Sequence, residues 1–349
     1  MPKASKKNMP IDFCGLLKEC NKEIHIIVHN FPDPDSIASA IGVQEIIKNC
    51  KHKPGNIYYT GEISHPQNKS MMTLLSVPIV NYESDPFEKG SPVIIVDTNN
   101  LGKESNQPLI QPEDANILAI IDHHKGKHPK DVCIDYRPVG STSSIVWQYL
   151  YSMNFDFDSD EGQSLATALV VGISTDTNSL TSDNISDIDF DAYQYLIKKV
   201  DKQKLISIMQ YPLPPYLFDL RQRAFLEENK RIEESTIVSG LGIISTSKRD
   251  ALPIIADEFL RMTGITTSIV FAIINDYIDI SVRSNNITLD VGEFITKVFK
   301  TGGGKQGAGR ARISLGFFGA DNEDQTINND VWEVAKKLVF EKVFHSVKG

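Results

Sequence analysis

The sequence predicts an α/β protein: a doubly wound, mainly parallel sheet in its N-terminal part, followed by a smaller α/β domain with a mixed sheet. Three observations carry this expectation. Over the first two hundred residues short apolar runs alternate with helical patterns, as strand–helix–strand units do. Several of those runs are apolar throughout instead of alternating, which fits parallel strands covered by helices on both faces. The pattern then breaks at a proline cluster and restarts, and 349 residues exceed the usual size of one hydrophobic core.

The strands expected in the first part are EIHIIVH (23 to 29), GNIYYTG (55 to 61), PVIIVDT (92 to 98), ILAIIDHH (117 to 124) and VCIDYRP (132 to 138). Helical patterns fall at 36–49, 68–76, 141–153 and 161–173. Three prolines crowd positions 212 to 215, and LRQRAFLEENKRIEES (220 to 235) reads as a charged amphipathic helix. The expected domains are therefore 1–204 and 236–349, with a helical linker at 205–235. In the second, TIVSGLGIIST, SIVFAIIND, YIDISVRS and ARISLGFFG read as strands, ALPIIADEFLRMTG and DVGEFITKVFKT as helices, and the stretch from 329 as a closing helix.

A hydrophobic content of 41% with 23% charged residues is that of a folded domain, and no stretch approaches the roughly 20 apolar residues of a membrane helix. The basic start, MPKASKKNMP, is not followed by the apolar segment of a secretory signal, so a cytoplasmic location without a membrane partner is expected. A net charge of −9 argues against wrapping a long nucleic acid, duplexes above all, and leaves room for a small anion in a local basic or metal-bearing pocket. Cys14, Cys20, Cys50 and Cys133 form no CxxC pair, so neither a zinc knuckle nor a disulfide framework is expected.

In a parallel sheet the ligand site forms beyond the carboxyl ends of the strands. His29 ends the first strand, with Asp33 and Asp35 in the turn that follows. Asp97 follows four apolar residues, Asp122-His123-His124 follows five, and Asp176 lies in GISTDTNS after the apolar ALVVG. By itself HNFPDPD reads equally well as a helix start, with Asp35 or Ser36 as the cap. Taken together, carboxylates facing one another at strand ends would repel and be desolvated unless a cation neutralised them. A mixed set of hard oxygen and nitrogen donors fits Mn²⁺, with Mg²⁺, Co²⁺ or Fe²⁺ as alternatives. About six ligands, one of them able to bridge, suit two ions better than one.

HNFPDPD, VDT, DHH and TDT stand in the order, and at about the spacings, of the four motifs of the DHH phosphoesterase family. The chain resembles that family from about residue 20 to 320, and GGG at 302–304 is similar to the motif of its associated DHHA1 domain. The resemblance is to the compact two-domain members, oligoribonucleases and phosphoadenosine phosphate phosphatases of the NrnA type. It implies His29, Asp33 and Asp97 on one metal ion, and Asp35, Asp97, His123 and Asp176 on a second, with Asp97 bridging. His124 would lie beside the attacked phosphate, making Asp97, His123 and His124 the expected catalytic set. Asp122 is expected to orient a neighbouring histidine.

TGGGKQGAGRAR (301 to 312) lacks the spacing of a P-loop, but its glycines let backbone amides approach an anion. The sequence departs from the family pattern here: Lys305 stands where a histidine is usual, and Ala308-Gly309-Arg310 replaces Ala-Ala-Gly or Ala-Ser-Gly. A lysine can pair with phosphate but cannot act as an imidazole acceptor. The expected substrate-binding residues are Gly302, Gly303, Gly304 and Lys305, with Arg283 and Ser284 of SVRSNN and Asn68 of GEISHPQNKS. GSTSS at 140–144 is a good helix N-terminus, serving as a cap or presenting amides to an anion, and His65 is expected to be solvated.

The expected function is two-metal hydrolysis of phosphoester bonds in oligoribonucleotides of about two to five nucleotides, including pGpG or pApA, releasing 5′-mononucleotides. Recognition would fall to the second domain. Alternatives are a 3′-phosphoadenosine 5′-phosphate phosphatase, an inorganic pyrophosphatase, a processive single-strand exonuclease and a nucleotide-binding sensor with weakened catalysis. The expected partner is the short nucleotide substrate, with a homodimer left open.

Overall fold

The unbroken apolar runs become the centre of a six-stranded, all-parallel sheet. Its strands are β1 (Ile24–Ile27), β2 (Pro54–Tyr59), β3 (Ile79–Asn81), β4 (Ser91–Val96), β5 (Ala115–Asp122) and β6 (Cys133–Tyr136), in the spatial order β3-β2-β1-β4-β5-β6. This is the doubly wound order, and the direction of winding reverses between β1 and β4. The computed structural model describes residues 10–18, 20–63, 65–98, 115–126, 132–305, 307–318 and 325–347. It divides into two units, at Pro212 and Leu213.

The helices of the first unit are α1 (Phe13–Leu17), α2 (Pro34–Asn49), α3 (Pro66–Leu75), α4 (Thr142–Ser152), α5 (Asp160–Asp176), α6 (Asp187–Leu196) and α7 (Lys202–Met209). They share one core with Ile24, Ile26, Ile94, Val96, Ala119 and Ile121, the strand residues of one sheet face. The opposite face, Ile27, Val93, Ile95 and Ile120, packs with Tyr58 and Phe87. Among the described residues that face is closed by aromatic side chains, where the apolar runs led us to expect helices. No described helix is long and apolar enough to cross a membrane.

The second unit holds β7 (Lys230–Glu233), β8 (Thr236–Ile243), β9 (Thr267–Ile274), β10 (Tyr277–Ser284), β11 (Gly303–Lys305) and β12 (Ala308–Ser314), in the order β11-β12-β10-β9-β8-β7. Only β8 and β9 are parallel, so the sheet is mixed as expected. Helices α8 (Pro215–Phe225) and α9 (Ala251–Phe259) pack on one face. Helices α10 (Val291–Phe299) and α11 (Gln325–Val347) pack on the other.

The stretch 205–235, expected as a helical linker, is divided between the two units: α7 buries Ile208 in the first core, whereas α8 buries Leu217, Leu220 and Ala224 in the second. The charged exterior of that amphipathic helix suggested a connector, but its apolar stripe is what decides which unit it joins. The cysteines also differ from expectation, because Cys14 and Cys50 form a disulfide with Cα atoms 5.0 Å apart. Their 36-residue separation has no local pattern; only the docking of α1 against the end of α2 brings them together. Cys20 and Cys133 remain thiols.

Candidate metal centre

The carboxyl ends of β1, β4 and β5 deliver His29, Asp97 and the Asp122-His123-His124 triplet to one edge of the first sheet, at the switch point. After β1 the chain turns through Phe31, which has φ of 55° and donates its amide to the Thr60 carbonyl. Pro34 then occupies the first turn of α2, where a missing N–H costs nothing. Asp33, not Asp35 or Ser36, is the N-cap, its Oδ1 accepting from the Ser36 amide at 3.0 Å. Asp35 follows in the first turn of α2 and is buried. Asp176 is the last residue of α5. Gly172, one turn earlier, permits the close approach of helices: a Cβ there would lie 2.5 Å from Ser143 Oγ and 3.1 Å from Asp35 Cα.

These side chains converge in three groups whose ligand atoms lie within 4.8 Å of one another: His29 with Asp33 and Asp97, Asp35 with His123 and Asp176, and Asp97 with His123 and His124. Asp97 thus links the neighbourhoods of His29 and His123. Its Oδ2 lies 3.7 Å from His29 Nε2, and its Oδ1 lies 3.6 Å from His123 Nε2. Asp97 is 2% exposed and has φ of 60°, a left-handed conformation that costs a non-glycine residue about 1–3 kcal/mol.

The electrostatics test whether a cation fits. His29 Nδ1 faces the Asn30 carbonyl at 2.8 Å and His123 Nδ1 faces the Val139 carbonyl at 3.0 Å. Donation to a carbonyl puts the proton on Nδ1 and leaves the lone pair on Nε2. Both Nε2 atoms then face carboxylates, His123 Nε2 lying 3.1 Å from Asp176 Oδ2 and His29 Nε2 lying 3.7 Å from Asp33 Oδ1. Lone pairs pointed at anions require either protons or a cation between them. Without a cation, protons take that place. Burial and the neighbouring Asp176 push Asp35 up to about 6, and burial with Asp35, Asp33 and Asp176 drives Asp97 well above the ordinary carboxylate range. Against burial, Asp176 and Asp35 pull His123 up to about 9, and Asp33 raises His29. Desolvation opposes it, but the hydrogen bond with His29 holds Asp33 low. The donor set therefore fits divalent cations with hard, oxygen-rich preferences.

Asp122 takes a different part. Its Oδ1 accepts from the His124 amide at 3.0 Å and lies 2.9 Å from His124 Nδ1, so it fixes the imidazole and directs Nε2 away from itself. The partners that hold Asp35 and Asp97 lie in GSTSS. At the start of α4 the amides of Thr142 and Ser143 donate to Asp35 Oδ2 and Oδ1 at 2.7 and 2.9 Å. The Thr142 hydroxyl donates to Asp97 Oδ1 at 2.7 Å. The GSTSS segment thus offers its amides to a carboxylate of the chain itself. Asp189, at 0% exposure, accepts from the Gly140 amide at 2.8 Å and steadies the approach to that helix.

The remaining expected residues fall elsewhere. Asn68 does not lie open to substrate: its Nδ2 donates to the Pro32 carbonyl at 2.8 Å and ties down the turn between His29 and Asp33. His65 caps α3, with its ring 5.4 Å from that of Tyr211. In the second unit Arg283, Gly303 and Gly304 line a cavity of about 350 Å³, together with Arg249, Asp279 and Arg310. Ser284 is buried within the strand ends, its Oγ 2.9 Å from Thr267 Oγ1. The glycines form an edge strand, not a nest of amides, and Gly302, with φ of 90°, would place a Cβ 2.2 Å from the Arg310 carbonyl. The side chain of Lys305 lies outside the described residues.

Residues 23–173 match the DHH family, N-terminal domain. Those residues, within the first unit, form a DHH-family domain. An uncharacterized protein of Methanocaldococcus jannaschii is 33% identical to the chain over 319 residues, 91% of this chain and 63% of that protein. The same organism's manganese-dependent inorganic pyrophosphatase is 28% identical over 171 residues, 47% of this chain and 52% of the enzyme. The cyclic-di-AMP phosphodiesterase PdeA of Listeria monocytogenes is 24% identical over 278 residues, 75% of this chain and 41% of the enzyme. The chain thus spans between about two fifths and two thirds of the length of these relatives. The similarity to the pyrophosphatase covers about the length of the DHH domain, whereas that to PdeA is too long for the DHH domain alone.

Proposed function

We propose that the chain is a metal-dependent phosphoesterase acting on short nucleotides, with His29, Asp33 and Asp97 holding one divalent ion and Asp35, Asp97, His123 and Asp176 the other. The observation that carries this reading is the pair of imidazole Nε2 atoms turned toward one shared, buried carboxylate, Asp97. Two bound Mn²⁺ ions would supply Lewis acidity, neutralising phosphoryl charge and activating the attacking water. The protein's own contribution is position. Thr142 and Ser143 hold Asp97 and Asp35 in place before a cation arrives, so little reorganisation is needed. His124, locked by Asp122, presents Nε2 to hydrogen-bond a phosphoryl oxygen or to hand a proton to the leaving oxygen.

The substrates we favour are oligoribonucleotides of about two to five nucleotides, including pGpG and pApA, cleaved to 5′-mononucleotides; the second unit's cavity is on the scale of a small ligand. Its arginines support a nucleotide over pyrophosphate, as does the extent of the similarity to PdeA. They also keep 3′-phosphoadenosine 5′-phosphate as a second reading, since its second phosphate needs such a partner. Stripped protein resupplied with Mn²⁺ is to be offered pGpG, pApA, a five-nucleotide RNA, phosphoadenosine phosphate, long single-stranded DNA and pyrophosphate. Turnover of short nucleotides is expected. Turnover of none of the six would sink the enzyme, and a preference for pyrophosphate or long DNA would sink the substrate class.

A further inference from the structure

The alternation in YIDISVRS and AGRARIS gives the second sheet one polar face where its helical cover stops. In β10 and β12 the residues Ile278, Ile280, Val282 and Ala311 point into the core beneath α10 and α11. Their neighbours Asp279, Ser281 and Arg283 pair across the ladder with Arg312, Arg310 and Ala308. On that polar face α9 packs on Val270 and Ala272 of β9 and lies against β10 as well. A polar row is left beyond it.

The row is built around one carboxylate. Asp279 is 1% exposed, and three guanidiniums surround it: Arg310 Nη2 donates to Oδ1 at 2.9 Å, Arg249 Nε lies 3.5 Å from Oδ2, and Arg312 Nε lies 3.8 Å from Oδ1. Three guanidiniums thus converge on one buried carboxylate. Asp279 Oδ2 and Arg312 Nε make no hydrogen bond, so the cluster is not internally satisfied. Asp250 also lines the cavity, and Asp257 pairs with Arg283 at 3.1 Å. The buried carboxylate sits below, however, while the Arg310 and Arg312 side chains remain 42% and 32% exposed above it. A carboxylate that anchors arginines from beneath pre-organises them for an anion arriving from solvent.

The row also extends past the cavity. Arg310 belongs to the cavity lining, but Arg312, two residues along β12, does not. Two strand residues span about 6.7 Å, comparable to the step between successive phosphates of an extended strand. Arg312 is held flat over the Tyr277 ring, with its Cζ 4.0 Å from the ring centroid.

We propose that this arginine row is a track for the backbone of a short single-stranded oligonucleotide, the cavity taking one phosphate at Arg249, Arg283 and Arg310 and Arg312 taking the next. The proposal rests on the nucleotide reading given above and makes chain length the property that is selected. A dinucleotide without a terminal phosphate brings one phosphate and reaches the cavity alone; a longer strand brings a second phosphate and gains Arg312 as well.

The test is binding without cleavage. The whole chain, with Ca²⁺ in place of Mn²⁺ and strands verified intact afterwards, is titrated with oligoadenylates of two, three, four and five nucleotides that carry no terminal phosphate. Affinity should rise roughly tenfold between the shortest strand and the longer ones, and the salt dependence should steepen by about 0.7 in log–log slope for the added contact. Arg312→Ala should abolish both increments while leaving dinucleotide affinity within about twofold, and Arg312→Lys should recover the salt slope. Equal affinity at every length would overturn the track, as would an Arg312→Ala loss equal for all lengths. Dinucleotide binding without length dependence removes the track only; binding of no oligonucleotide removes the nucleotide substrate as well.

Discussion

Thr142 reaches across 45 positions of sequence to donate its hydroxyl to Asp97 Oδ1 at 2.7 Å, and the same residue gives its amide to Asp35 Oδ2 at 2.7 Å. One residue therefore restrains the carboxylates of both candidate metal groups. A helix N-terminus carries partial positive charge and unsatisfied N–H groups, so the first turn of α4 both positions these anions and offsets their repulsion.

Loss of the hydroxyl should loosen the centre without unfolding it. Thr142→Val keeps the volume and the amide but leaves Asp97 without its donor, and partners of this kind commonly account for 10–100-fold in metal affinity or activity. Mn²⁺ affinity measured by calorimetry should fall by about tenfold at least. Thr142→Ser should recover most of it. Equal affinities in wild type and Thr142→Val would show that the hydrogen bond is incidental.

Protonation of the empty centre should be visible in stability. Asp35, raised to about 6 by burial and Asp176, binds a proton in the folded chain that the unfolded chain releases near 3.9, so stability falls as pH rises across that window. His123, raised to about 9 against burial by Asp176 and Asp35, contributes stability that is complete below about 6.5 and lost as pH rises through 9. The metal-free protein should therefore lose Tm relative to Asp35→Asn between about pH 4 and 6. With Mn²⁺ bound the difference should reverse, and Mn²⁺ affinity should increase with pH, because metal replaces protons. A wild-type-minus-variant difference that is flat with pH contradicts this.

Asp122→Asn separates orientation from metal binding. The amide oxygen can still accept from the His124 amide and ring, which now both meet Asp122 Oδ1, but the negative charge that orients the ring N–H is gone. Turnover at saturating Mn²⁺ should drop by roughly 10–100-fold while the bound metal count is unchanged. Loss of metal instead would make Asp122 a ligand.

The Cys14–Cys50 link closes a 36-residue separation, for which chain entropy suggests roughly 3–4 kcal/mol. Cys14→Ser should lower Tm measurably and leave Mn²⁺ stoichiometry intact. Thiol counting on the denatured, unreduced chain should find the two of Cys20 and Cys133, and four after reduction. Four before reduction would refute the bond.

The strand ends were legible because parallel strands announce themselves as unbroken apolar runs, so Asp97 after VIIV and Asp122 after ILAII stood out as chemistry attached to burial. Short or glycine-based strands were not: β3 has three residues, and β11 consists of Gly303, Gly304 and Lys305. Which of Asp33, Asp35 and Ser36 caps α2 turned on one backbone conformation, the extended φ of −94° and ψ of 177° at Asp33. The partners of Asp35 and Asp97 were invisible for a different reason. A hydrogen bond between Thr142 and Asp97 depends on where two helices and a strand end meet, and no local pattern records that meeting. The arginine row lay in plain alternation, yet only the pairing of Asp279 with Arg312 reveals that its charges share one buried anchor.

Two cations joined through Asp97 are the core of the proposed centre. Equilibrium dialysis of stripped protein against Mn²⁺, with metal and protein quantified on the same samples, tests it most directly. We expect two ions per chain for the wild type and at most one tightly held ion for Asp97→Ala; a wild type that binds none or one, or an Asp97→Ala variant that still binds two, would contradict it.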